Sequence, residues 1–177
     1  MNFSTKDTNP HSLPYLHWTK EQLALTKTKV HKWKIWDSDD GNYEAFIESR
    51  RVIIPFPIDD WSFLVTLHEI GHVSTGERLY SYLMEYNAER WAIRRAKEKY
   101  NVICPKYEND ARNYVKNHLI ENLVFSELSI EKVKPYVLEW LKETPSSIAK
   151  QILKMSKKGL LDDFKINKKY WQSVAKS

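Results

Sequence analysis

His68-Glu69-Ile70-Gly71-His72 is the stretch on which the reading of this chain turns. Two histidines four apart on a helix differ by about 40° of rotation and ~6 Å of rise. Both imidazoles therefore leave one face and can share a single metal ion. Glu69 stands beside the first of them, where its carboxylate reaches a water on that metal without coordinating the metal itself. Zinc brings the pKa of such a water towards ~7, and the glutamate takes the proton as the water attacks a carbonyl. The competing interpretation is a surface helix with two solvated histidines, and the flanking sequence favours the metal site.

Upstream, Arg50-Arg51-Val52-Ile53-Ile54-Pro55-Phe56-Pro57 is a short apolar run closed by prolines. A β-branched run bounded by breakers reads as a strand, and Pro55 implies that it ends there or lies at a sheet edge. Asp59 and Asp60 offer an N-cap for the helix that follows. Trp61, Phe63, Leu64, Leu67, Ile70 and Val73 supply its apolar stripe. The expectation is a partly buried histidine helix with an edge strand just before it. Such a strand can take up an extended peptide through main-chain hydrogen bonds and lay it across the metal.

A catalytic tetrahedral zinc needs a third protein ligand and leaves its fourth position to water. Six residues beyond His72 the chain has Arg78, which excludes the long pattern with three histidines. The next segment, Tyr80 to Lys99, reads as a helix on which Glu85 and Glu89 share a face, and small Ala88 and Ala92 near that face permit close packing on the histidine helix. Glu85 is the expected third ligand, and Glu89, one turn on, the acceptor for the free ring N–H of a ligand histidine. The alternative for both is a solvated face paired with Arg90, Arg94 or Lys97.

The two motifs together, His68-Glu69-Ile70-Gly71-His72 and Glu85-Tyr86-Asn87-Ala88-Glu89-Arg90-Trp91-Ala92, resemble the ImmA/IrrE group of small zinc peptidases within the gluzincins. The resemblance covers about residues 43 to 100. It implies a zincin-like fold, His68, His72 and Glu85 as zinc ligands, and Glu69 as catalytic base. The chain departs from that group in having Glu89 where the group has Asp or Asn, and Trp91 where it has Phe. No helix-turn-helix of the kind some relatives attach is evident.

Composition sets outer bounds. At 177 residues the chain suits a single domain, with a core at about 19–100 and a helical C-terminal extension at about 106–177. A hydrophobic content of 42% with 13% aromatics argues for a folded globule and against disorder. No apolar run approaches the ~20 residues that span a bilayer, and Met1 to Asp7 hold no apolar core for a signal peptide. The lone Cys104 excludes an internal disulfide and fits a reducing compartment, so a cytoplasmic protein with no membrane contact is expected.

The remaining elements are read from periodicity and breakers. Residues to about Leu16 form an extended arm, and Thr19 with Gln22 suggests a capping box for a helix running to about Val30. His31 to Trp36 and Tyr43 to Glu48 alternate as strands around a turn at Asp39-Asp40-Gly41-Asn42. With residues 51 to 56 these make a small antiparallel sheet. Helices are expected over about 108–128, 133–143, 147–158 and 168–175. The fold class is thus α+β: a small antiparallel sheet with an edge strand, the histidine helix, the Glu85 helix, and a mostly helical C-terminal half.

Charge supplies a rival. The net charge is +5, and eight lysines from Lys150 onward are opposed by Asp162 and Asp163 alone. With Tyr170 and Trp171 they could form a phosphate-binding surface, although a solubilising helix face explains them as well. Arginine, the better base reader, is absent there, so any nucleic-acid contact would be weak and non-specific. A DNA-associated protease similar to the SprT-like group would use a histidine as third ligand, which makes His118 the rival to Glu85. Three functions follow: a zinc endopeptidase acting on a specific protein, plausibly a transcriptional regulator; a SprT-like DNA-associated protease; and a non-catalytic zinc-fold binding module. Intact Glu69 speaks against the third. A peptidase also needs a donor for the oxyanion; His118, four residues after Tyr114 on one helix face, is the proposed catalytic donor, with Tyr114 second and Tyr80 and Tyr82 as alternatives.

Overall fold

The computed structural model describes residues 13–34, 42–126, 128–161 and 166–177. The fold is mixed α+β and mostly helical. Its order is α1 (Leu13–Leu25), β1 (Lys29–Lys34), β2 (Glu44–Phe46), β3 (Arg51–Pro55), α2 (Asp60–Thr75), α3 (Ser81–Tyr100), α4 (Pro105–Phe125), α5 (Pro135–Leu141), α6 (Pro145–Lys157) and α7 (Lys168–Val174), with a single 3-10 turn at Ile130–Lys132. The chain divides into two compact units, Met1–Leu79 with Met84–Asp110, and Tyr80–Leu83 with Ala111–Ser177. Among the described residues no helix is long and apolar enough to cross a membrane.

In the first unit the sheet order is β1-β3-β2, with β1 parallel to β3 and β2 antiparallel to it. Two expectations are corrected here. The sheet is mixed rather than antiparallel, and the strand before the histidine helix is central rather than an edge. The residues explain both. Val52 and Ile54 of β3 are fully buried and Pro55 is buried too, so this strand takes the middle place. β1 carries Lys29, Lys32 and Lys34, and β2 is three residues long; charge and shortness are how exposed strand edges are kept from pairing further. Pro55 marks the end of β3, and Phe56 N–H donates to the Lys34 carbonyl at 2.8 Å just beyond it. The turn expected at Asp39-Asp40-Gly41 lies outside the described residues, as does the arm up to Ser12.

Prolines open helices more often than the sequence reading allowed. α1 begins at Leu13 rather than Thr19, α4 at Pro105 rather than 108, and α6 at Pro145 rather than 147. A proline in the first turn loses only an N–H that had no helical partner, and its fixed φ suits the start. The expected Thr19–Gln22 capping box does not form. Both side chains are fully buried inside α1, where Gln22 Nε2 donates to the Tyr100 hydroxyl at 2.6 Å.

α2 is held on three sides within its unit. At its N-terminus the Asp59 carboxylate accepts the Ser62 backbone N–H at 2.7 Å, while Ser62 Oγ accepts the Asp59 N–H at 3.1 Å. From α1, the Tyr15 hydroxyl donates to Asp60 at 2.6 Å, and the Tyr15, Trp18 and Tyr100 rings surround buried Phe63 at 5.5–5.7 Å. From the sheet, the Pro55 carbonyl accepts the Thr66 hydroxyl at 3.2 Å. The helix stops at Gly76, whose φ of 71° lies in the left-handed region and whose N–H closes on the His72 carbonyl.

The second unit has an aliphatic interior. Val115, Leu119, Val137, Ile148 and Ile152 are buried completely, and Trp171 of α7 nearly so. Asn122 Oδ1 accepts both the Tyr82 N–H at 3.0 Å and the Ser81 hydroxyl at 3.1 Å, serving the otherwise unpaired donors at the start of α3.

Candidate metal centre

His68 and His72 lie one turn apart on α2 and both are buried, at 7% and 8% exposure. α3 approaches α2 very closely, because Gly71 has no side chain. A Cβ at Gly71 would stand 2.9 Å from the Ala88 carbonyl oxygen and 3.1 Å from Ala88 Cα. Glycine between the two histidines and alanine between the two glutamates thus let the backbones nearly touch. That approach is what carries short carboxylate side chains across to the imidazoles.

Three acceptor atoms converge as a result. His68 Nε2 and His72 Nε2 are 3.0 Å apart, and Glu85 Oε2 stands 3.3 Å from each. Ligand atoms held tetrahedrally at about 2.0–2.1 Å from zinc are separated by roughly 3.3 Å, so the triangle has the dimensions of one face of such a site. Glu85 Oε2 is buried and has no hydrogen-bond partner of its own. A cation at the centre satisfies all three atoms at once, which a single shared proton cannot. Among the described residues these three form the group of His, Cys, Asp and Glu side chains able to hold an ion.

The outer partners are also in place. His68 Nδ1 is 3.2 Å from Glu89 Oε1, the geometry in which a ring N–H is held by a carboxylate and the other nitrogen is left for a metal. Burial alone would push the His68 imidazole down, but Glu89 and Glu85 around it hold it well above its usual value. Glu85 is pushed up by burial and brought far below the carboxylate range by His68 and His72. Glu69, 8% exposed, takes no place in the converging triangle. Burial raises its carboxyl above the ordinary value; the two histidines oppose that and the neighbouring glutamates add to it. A carboxylate beside the ligands, raised and uncommitted to the ion, suits a proton acceptor.

One residue escaped the sequence reading. Tyr107, in the first turns of α4, is buried against Trp61, with the two rings 5.3 Å apart at 77°. Its hydroxyl interacts with the Glu89 carboxylate, and burial together with that charge pushes the phenol well above its ordinary value, keeping it a proton donor. No local signal marks it, since a tyrosine near a helix start is unremarkable.

The other expected residues belong to the second unit. His118 lies on α4 with Nδ1 3.4 Å from Glu121, and its ring meets that of half-exposed Tyr114 edge-on at 4.7 Å. Tyr82 is buried and hydrogen-bonded to the backbone at Lys134, which leaves it no free hydroxyl to offer. Lys150, Lys154, Lys157, Lys158, Lys168, Lys169 and Lys176 are exposed. Trp171, however, is buried and the Tyr170 hydroxyl is held by Glu131 at 3.0 Å, so neither is presented as a stacking platform.

Compared with family models, curated proteins and solved structures, the chain matches none.

Proposed function

We propose that the chain is a zinc-dependent endopeptidase of the ImmA/IrrE type, with a zincin-like arrangement of sheet, histidine helix and glutamate helix. The observation that carries this reading is the triangle of His68 Nε2, His72 Nε2 and Glu85 Oε2, with edges of 3.0–3.3 Å. It favours Glu85 over His118 as third ligand, and with it the gluzincin reading over the SprT-like one.

Zinc, when bound, would supply a Lewis acid that makes water a nucleophile near neutral pH and polarises a carbonyl. The protein's own groups do the rest. His68 is fixed in one tautomer by Glu89. Glu69 takes the proton from the attacking water and returns it to the departing amide nitrogen, a double duty that its raised affinity for protons serves. Since β3 is central, an incoming peptide would add to a free edge elsewhere. β2 lies against α2 as β3 does and pairs with β3 on one side only among the described residues, so its outer edge is the proposed docking strand. His118, with Tyr114 second, is kept as the proposed oxyanion donor. The substrate is proposed to be one specific cytosolic protein, a transcriptional regulator being the class the resemblance implies. The exposed lysines of α6 and α7 would add at most a weak, salt-sensitive nucleic-acid contact.

The test is Glu69→Gln, which removes the base and keeps the shape. In a co-expression screen the wild type should cleave a protein that the variant leaves intact, with turnover on the recovered substrate lower by ~10²–10⁴-fold and zinc content unchanged. An undiminished effect of the variant would point to a binding module instead.

A further inference from the structure

Glu89 is 5% exposed, and its two oxygens are treated unequally. Oε1 faces His68 Nδ1 at 3.2 Å, whereas Oε2 is buried with no hydrogen-bond partner satisfied. A buried carboxylate oxygen lacking a donor is strongly disfavoured, and the group must either find a donor or lose its charge. Losing the charge would also release His68, because a protonated Glu89 is a poor acceptor for the ring N–H.

The hydroxyl that interacts with Glu89 from α4 is that of Tyr107. Its ring is fixed by edge-on packing against Trp61, on α2 itself, so the phenol is carried by the same helix that carries the ligands. Tyrosine reaches into the interior with an apolar body and delivers one polar atom at its tip. Its phenol resists ionisation here and therefore serves only as a neutral donor towards this carboxylate.

We propose that Tyr107 is a positioning residue of the metal centre: its O–H donates to Glu89 Oε2, which keeps Glu89 charged and aimed so that Oε1 holds His68 Nδ1–H and commits Nε2 to the ion. The inference rests on the metal-centre reading above and deepens it by one layer. It also gives a reason for a glutamate at position 89. The carboxylate must serve an imidazole on one side and a phenol from a third helix on the other, and the longer side chain spans that gap.

The experiment is a double-mutant cycle read by zinc affinity in chelator competition. Tyr107→Phe keeps the ring that packs on Trp61 and removes only the hydroxyl. It should weaken zinc binding about tenfold, at the lower end of the ~10–100-fold that outer-layer partners contribute. In a Glu89→Ala background the same change should have no effect. Wild-type affinity in Tyr107→Phe, or an equal loss in both backgrounds, overturns the proposal. A second arm needs no metal: in the metal-free protein the His68 Nδ1–H resonance, assigned by its loss in Glu89→Ala, should shift in Tyr107→Phe, and an unmoved resonance also overturns it. If the wild type fails to bind zinc, the metal centre itself falls, while the Nδ1–H arm still decides the link from Tyr107 through Glu89 to His68.

Discussion

α2 and α6 start on the same device. In α2 the Asp59 side chain accepts the Ser62 N–H and Ser62 Oγ accepts the Asp59 N–H; in α6 Thr144 Oγ1 accepts the Ser147 N–H at 3.1 Å and Ser147 Oγ accepts the Thr144 N–H at 2.8 Å. Beyond the cap they diverge. α6 buries Ile148, Ala149 and Ile152 and exposes Lys150, Lys154 and Lys157. α2 buries Phe63, Leu67 and Ile70 as well as His68, Glu69 and His72. The cap says where a helix begins and nothing about its task. Buried ionisable groups are costly unless they are paired or bind an ion, so the helix that carries three of them is the one with work beyond packing.

The largest expected effect breaks the comparison at its centre. His72→Ala should take the zinc content of the purified protein from close to one equivalent to almost none by elemental analysis. A wild-type protein without metal after careful purification would remove the functional difference between the helices. On the other side, Ile152→Ala in α6 should cost about 2–5 kcal/mol in chemical unfolding, as large-to-small core changes do, with zinc stoichiometry unchanged. A loss of zinc in that variant would show that the two helices are not separable in this way.

Gly71→Ala sharpens the contrast. A methyl group is welcome on most helices, but here it meets the Ala88 backbone at 2.9 Å. Overpacking of this kind costs about 1–3 kcal/mol, and it should also weaken zinc binding by pushing Glu85 away from the histidines. Unchanged affinity would mean that α3 can shift without opening the triangle.

The smallest effect concerns the α6 cap. Glu143 accepts from Ser147, Lys116 and Gln151. Burial pushes its carboxyl up, yet these partners outweigh that and hold it below its usual value of 4.5. A carboxyl lowered in the folded state binds fewer protons there than in the unfolded chain, so it stabilises above pH 4.5, and that contribution is lost as pH falls through the lowered value. Glu143→Gln should therefore be less stable than wild type at neutral pH, by about 1 kcal/mol, and the gap should close in acid. A gap that stays constant with pH would assign the effect to packing.

Much of the site is legible in the residues alone. Spacing of four puts His68 and His72 on one helix face, and Glu85 and Glu89 on another, because helix periodicity is a local property of the backbone. Asp59 as cap, the limits of β3 and the paired small residues Gly71 and Ala88 follow in the same way. Helix starts were misplaced where proline was taken as a barrier to the helix, when it is the first turn that tolerates it. Other features have no local cause. That β3 lies between β1 and β2, with β1 parallel to it, depends on which strand has two apolar faces to cover in the assembled unit. That Glu85 meets both imidazoles depends on how closely α3 approaches α2. That Tyr107 faces Glu89 depends on where α4 brings a ring 18 residues further along the chain. Residue types and short spacings thus determined which groups this protein has for holding a metal and moving a proton. Only tertiary packing decided which of them meet, because contacts between distant segments are set by how whole surfaces fit and leave no periodic trace in the sequence.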